Sequence, residues 1–198
     1  MIKKPLLDDL IEVCKEVYNR GLTTGAAGNV SVRIPETKYF LIKRTGSSMG
    51  RVKESDFLIT DIDGNIVEGE GKPSMEINFH LGIYRQRPEI GAVIHAHPPY
   101  TVAFASSNGL LPLVTVAAKM FLKEVPNIPF APPGSDELAK LVVEQYKREY
   151  INSVTMIEHG AITAGKDLWK AYDLMEYLED NAKVALAMLQ IKNSKFKF

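Results

Sequence analysis

Apolar residues recur at helical spacing near the N-terminus, where Leu6, Leu10, Cys14 and Val17 form one stripe and Gly21 supplies a stop. The period then changes. After a small-residue loop over 23–29, Val30, Val32 and Ile34 alternate with Ser31 and Arg33, which predicts a strand. Residues 38–44 (KYFLIKR) predict a second strand, closed by a turn over 45–50. Two β-rich runs within 57–69 flank Asp63-Gly64, a pair that favours a type I′ hairpin turn. A helix is expected over 75–87, with Ile77, Leu81 and Tyr84 on its inner side and Ser74 as its N-cap.

Residues 90–97 (IGAVIHAH) read as a buried strand, and 101–122 as largely helical or mixed. A proline-rich connection over 125–135 leads to a helix capped by Ser135 and carrying Leu138, Leu141, Val142 and Tyr146. Residues 153–165 predict strand, turn and strand. The last helix is expected over about 167–190, with Leu168, Tyr172, Met175, Ala182 and Leu189 facing inward and a frayed lysine-rich tail after it. Hairpin signals outnumber βαβ units. The pattern predicts an α/β fold in which helices cover a central, mostly antiparallel sheet, a three-layer α/β/α arrangement.

Composition narrows the function. A chain of 198 residues that is 45% apolar can bury one substantial core, so a single domain over 1–198 is expected. The 24 basic and 24 acidic residues are spread evenly, which argues against nucleic acid or an anionic membrane as partner. The lone Cys14 forms no internal disulfide and sits among apolar neighbours, as in a reducing cytoplasm. Acids interrupt the first apolar run, so it reads as an amphipathic helix and not as a leader.

Candidate chemistry begins at residues 95–97. His95 and His97 project from one face of their strand, where two imidazoles can chelate one divalent ion; two polar residues at a strand end is the plainer alternative. His159 shifts the balance, because it lies in a second apolar strand ending at a glycine, where a buried histidine needs a partner. Three nitrogen ligands with a vacant fourth position match a catalytic zinc site, and no cysteine cluster offers a structural one. His80 falls four residues after Glu76 on the predicted helix and reads as a packing or supporting residue.

The segments GAAGNVSVR, RTG, KPSMEINFH, AVIHAHP and IEHGAI, in that order over nearly the whole chain, resemble the class II aldolases of the fuculose-phosphate aldolase type. Their superfamily includes the ribulose-phosphate 4-epimerases. The resemblance implies a zinc enzyme acting on a small sugar phosphate, built as a homotetramer with sites at subunit interfaces. By the same resemblance His95, His97 and His159 would bind zinc. Glu76 would act as acid/base, occupying the open metal position when substrate is absent. Gly28, Asn29, Thr45, Gly46 and Ser74 would form a phosphate pocket. Glycine allows close backbone approach, and amide and hydroxyl groups donate hydrogen bonds to an anion without a lysine cluster. Taken singly, Gly28-Asn29 reads as a turn, Thr45-Gly46 as a hairpin end and Glu76 as a first-turn acid; the ordered set carries the assignment.

The sequence departs from that family at two places. Met75 stands where a second pocket serine is usual, and residues 111–121 hold no tyrosine to protonate an aldehyde. Reversible aldol cleavage of a ketose 1-phosphate to dihydroxyacetone phosphate and an aldehyde is the expected reaction. A methylthioribulose-phosphate dehydratase is the nearest alternative. A 4-epimerase would carry aspartate where Glu76 stands, and a non-catalytic interaction domain would not keep three histidines.

Overall fold

The computed structural model describes residues 4–107 and 110–193. Helix α1 (Lys4–Asn19) buries Leu10, Cys14 and Val17 of the expected stripe completely, with Val13 beside them, while Leu6 at its start is half-buried. Burial of each such aliphatic side chain is worth about 1.5–3 kcal/mol. Burial also pushes the Cys14 thiol up to about 12, which suits a packing residue and not a nucleophile.

Eight strands form one sheet: β1 (Asn29–Arg33), β2 (Phe40–Lys43), β3 (Phe57–Thr60), β4 (Ile66–Glu68), β5 (Ala92–Ala96), β6 (Asn127–Ile128), β7 (Ser153–Met156) and β8 (Gly160–Gly165). Their spatial order is β4-β3-β2-β1-β5-β8-β7-β6, antiparallel throughout except for the β6–β7 pair. Helix α1 and the long α6 (Leu168–Asn193) cover one face, where Val30, Val32, Ile94 and Ala96 point. Helices α2 (Ile77–Gln86) and α5 (Asp136–Tyr146) cover the other, over Val93, Val154 and Ile162. Two shorter helices, α3 (Pro99–Ser106) and α4 (Val116–Phe121), complete the three-layer α/β/α fold. Because both faces are covered, the polar side of β1 is buried as well, and Ser31 is 0% exposed.

Local chemistry explains both agreement and correction. Ser135 Oγ accepts from the Leu138 N–H at 3.1 Å and caps α5 as expected, a bond worth about 1 kcal/mol. The 61–65 turn is not type I′: only Gly64 takes positive φ, while Asp61 Oδ1 accepts from the Asp63 and Asn65 N–H groups. That carboxylate stabilises an Asx-type turn whose first central residues stay at negative φ. Ser74 is not the N-cap of α2; Glu76 holds that position, and Ser74 Oγ accepts from the Glu76 N–H at 3.3 Å. Within the expected proline-rich connection, β6 pairs beside β7, tied by Asn127 Oδ1 accepting from Thr155 Oγ1. Leu189 is 45% exposed, since the end of α6 extends past the layer that would bury it. Helix α6 runs through Asn193, and the remainder of the expected frayed tail lies outside the described residues. Among the described residues no helix is long and apolar enough to cross a membrane.

Candidate metal centre and anion cavity

Sheet register builds the centre. Asn29 opens β1 directly opposite His95 in β5, and His95 stands opposite Ile162 in β8. His95 Nδ1 donates to the Ala161 carbonyl at 2.9 Å, so its proton is committed there and Nε2 keeps a lone pair. His97 follows the strand, held by its backbone N–H on the Leu22 carbonyl at 2.8 Å. Contrary to the sequence expectation, His159 does not sit in a strand but in the tight turn over 157–159 joining β7 to β8, after Glu158 at φ 59°. A β carbon at Gly160 would lie 2.4 Å from the Ala96 carbonyl oxygen and 2.7 Å from His97 Cδ2. Only glycine lets the turn pack this close.

The three rings converge. Their centroids are 4.7, 4.9 and 5.3 Å apart, and one ligand nitrogen from each lies within 4.8 Å of the others. Glu76, 4% exposed, enters from the start of α2. Its Oε2 lies 3.2 Å from His95 Nε2, and Oε1 lies 3.2 Å from His159 Nε2 without a hydrogen-bond partner of its own. His95 Nε2 also faces His97 Nε2 at 2.9 Å. An unprotonated nitrogen facing a carboxylate oxygen and a second imidazole nitrogen leaves lone pairs directed at one another, an arrangement a cation among them relieves. The donors present thus fit a divalent ion held by His95, His97 and His159, with Glu76 at a further position.

Protonation states agree with that fit. Burial, then the neighbouring His95 and His159 rings, pushes His97 down to about 3, and burial is also the main cause lowering His95. Neutral rings are the ligating form. Burial works to raise the Glu76 carboxyl, but His95, His159 and the Asn29 amide outweigh it and hold the group well below the usual carboxylate range.

Beside this centre lies a cavity of about 240 Å³. Gly28, Asn29, Thr45, Gly46, Ser74 and Glu76 all line it, with His97 and His159, so every residue expected for the anion pocket and the acid/base meets there. His95 is buried behind them and does not line it. Gly28 has φ 75°, and a β carbon there would come 3.0 Å from the His95 carbonyl oxygen, so its glycine is required on both counts. Met75, where a serine was missed, lines the cavity and is 63% exposed.

Two residues outside the expected pocket and ligand set also bear on the site. Lys43 lines the cavity yet is 1% exposed; its Nζ donates to the Ser47 carbonyl at 2.6 Å, beneath the 45–48 loop. Burial lowers its pKa, with Cys14 and Asp56 opposing. A lone lysine in the FLIKR run was the signal available, and it adds one cation to a pocket expected to need no lysine cluster. His80, fully buried, touches Asn29 and Ser31, so it supports the site from behind, as its placement after Glu76 suggested.

Comparison with known proteins gives the family. The chain matches the profile of the class II aldolase and adducin N-terminal domain over residues 8–186. It is 38% identical over 186 residues to an L-fuculose phosphate aldolase of Methanococcus maripaludis, covering 94% of this chain and 99% of that one. A 3-oxo-tetronate 4-phosphate decarboxylase of Haemophilus influenzae is 33% identical over 181 residues, 88% of this chain and 84% of that one. The crystal structure of L-fuculose-1-phosphate aldolase from Thermus thermophilus superposes with a TM-score of 0.86 at 28% identity, covering 99% of this chain and 100% of that one. A hydrogen-bonded carboxylate, three convergent imidazoles and a glycine-lined cavity thus stand in a chain that belongs to the class II aldolase family.

Proposed function

We propose that this protein catalyses the reversible aldol cleavage of a small ketose 1-phosphate, of the fuculose 1-phosphate kind, to dihydroxyacetone phosphate and an aldehyde. Zinc is the proposed resident ion. The observation that carries the reading is the meeting of Glu76 and the three histidines with the small-residue loops in one cavity. Bound there, the ion would act as a Lewis acid toward substrate oxygens, an effect worth several kcal/mol in such sites.

The chain's own residues supply the rest. Thr45 and Ser74 hydroxyls and the Asn29 amide offer neutral donors to a phosphate, with the Lys43 ammonium behind the loop. Ser74 and Glu76 share one short segment, so a substrate anchored by its phosphate has its reacting carbon fixed relative to the carboxylate. The Asn29 amide occupies Oε2, which leaves Oε1 to hold or return a proton at the carbon beside the carbonyl. The whole chain acts as one domain, and the exposed Leu110, Val116 and Met120 (75, 73 and 60%) suit the interface of a homotetramer.

A second reading is decarboxylation of a phosphorylated 3-oxo acid. It is favoured by the absence of tyrosine from 111–121, because that reaction protonates no aldehyde, and by the name of the Haemophilus influenzae relative. One experiment separates the two. Metal-loaded protein in deuterated water is expected to exchange a C3 proton of dihydroxyacetone phosphate, which both reactions allow, and to join dihydroxyacetone phosphate to a small aldehyde, which only the aldolase does; NMR follows both. Exchange without condensation, with carbon dioxide released from a 3-oxo acid phosphate, assigns the decarboxylase instead.

A further inference from the structure

A buried polar chain runs from Glu76 into the core, and the cleavage chemistry above does not use it. Asn29 Nδ2 donates to Glu76 Oε2 at 2.8 Å, and His80 Nε2 meets Asn29 Oδ1. His80 Nδ1 is 2.7 Å from Ser31 Oγ, which is 2.9 Å from the Tyr84 hydroxyl. His80 and Ser31 are 0% exposed, Tyr84 2%.

Each link has one polarity. A carboxylate only accepts, so Asn29 must turn its nitrogen to Glu76 and its oxygen to His80. That oxygen only accepts, so His80 must carry its proton on Nε2. A neutral ring then has a lone pair on Nδ1, to which Ser31 donates, and Ser31 accepts from Tyr84. Burial, the largest influence, pushes His80 down to about 3 and so keeps the ring neutral.

We propose that His80 is a positioning residue: as the Nε2–H tautomer, with Ser31 and Tyr84 completing the chain at Nδ1, it ties down Asn29 Oδ1 and so holds the amide with its nitrogen toward Glu76. With Oδ1 occupied, the polar group that Asn29 offers the cavity is an N–H, which suits an anion and repels none of its oxygens. One buried histidine thus sets the donor character of a residue shared by the acid/base and the anion pocket. This inference rests on the proposed roles of Glu76 and of the cavity.

Its test begins with the zinc-loaded protein labelled with ¹⁵N at its four histidines. Long-range ¹H–¹⁵N correlation, with the His80 signals identified by their loss in His80→Gln, is expected to place the proton on Nε2. A proton on Nδ1, or on both nitrogens, overturns the proposal. His80→Phe keeps a flat ring beside Phe79 but removes the donor. It is expected to lower both inorganic phosphate affinity and turnover by about 10- to 100-fold with bound metal unchanged. His80→Gln, which retains an amide donor, is expected to recover much of that loss. A folded His80→Phe protein with wild-type phosphate affinity and turnover overturns the proposal, as does a His80→Gln protein no better than His80→Phe. If His80→Phe does not fold, the wild-type tautomer decides. Wild-type protein that neither binds phosphate nor exchanges the C3 proton refutes the proposed function, and the tautomer still judges His80.

Discussion

Gly160 packs so tightly on Ala96 that a β carbon at residue 160 would stand 2.4 Å from the Ala96 carbonyl oxygen. The contact seats the His159 turn against His95 and His97. Gly160→Ala is expected to cost about 1–3 kcal/mol, the usual range for overpacking, and to displace His159 from the cluster. Thermal unfolding and metal content should fall together. A variant of wild-type stability with full metal would show that the turn has room this geometry denies it.

Purified without chelator, the protein is expected to carry about one divalent ion per chain. His159→Ala should lower retention on dialysis, and His95→Ala more so, because its ring is also fixed by Ala161. Elemental analysis after dialysis checks both. Equal metal in wild type and His159→Ala would remove His159 from the ligand set.

Glu76→Gln preserves shape and leaves three imidazoles in place. Turnover is expected to fall roughly 10²–10⁴-fold, the range for loss of a general base, with metal retained. The C3 exchange should fall by a like factor. Exchange at the wild-type rate would assign the base to another residue.

Asn29→Leu removes a donor from the cavity and the hydrogen bond to Glu76 at once. Its effect should therefore appear in kcat as well as in KM, whereas Thr45→Val should act on KM for the phosphorylated substrate alone. Steady-state kinetics with phosphorylated and dephosphorylated substrates separates the two patterns.

Lys43 gives a pH dependence of definite sign. Its pKa is lowered from the ordinary 10.5 in the folded protein, chiefly by burial, so between the folded and unfolded values the unfolded chain binds more protons. Lys43 thus contributes a rise in folding stability with pH across that window, opposed by Cys14, whose buried thiol keeps its proton and contributes a fall. Lys43→Met should remove that rise from the alkaline limb and weaken inorganic phosphate binding. Denaturant titrations at several alkaline pH values measure the first effect. A limb unchanged in Lys43→Met would show that Lys43 is not its source.

Periodicity revealed the elements whose environment is set by one face. The α1 stripe, the alternation in β1 and the Ser135 cap were all legible, because neighbours a few residues apart determine them. β6 was not, since two residues between prolines become a strand only when β7 lies alongside. The same distinction holds at the site. The histidine pair was legible from strand alternation, but the turn placing His159, the positive φ at Gly28 and the burial of Lys43 depend on segments remote in sequence. The other residues around the cavity were grouped by resemblance to a family, because spacing alone does not say which loops meet.

The placement of His159 in the β7–β8 turn also dictates an order of events. β5 and the start of α2 are synthesised well before that turn, and a nascent chain ending between them holds His95, His97 and Glu76 with the third imidazole still unmade. β8 pairs with β5 over a long stretch of intervening chain, the kind of contact that forms slowly. Three-histidine capture of the proposed ion is accordingly expected as a late step of folding, completed when β8 docks, and chains arrested before that step should exchange their metal freely.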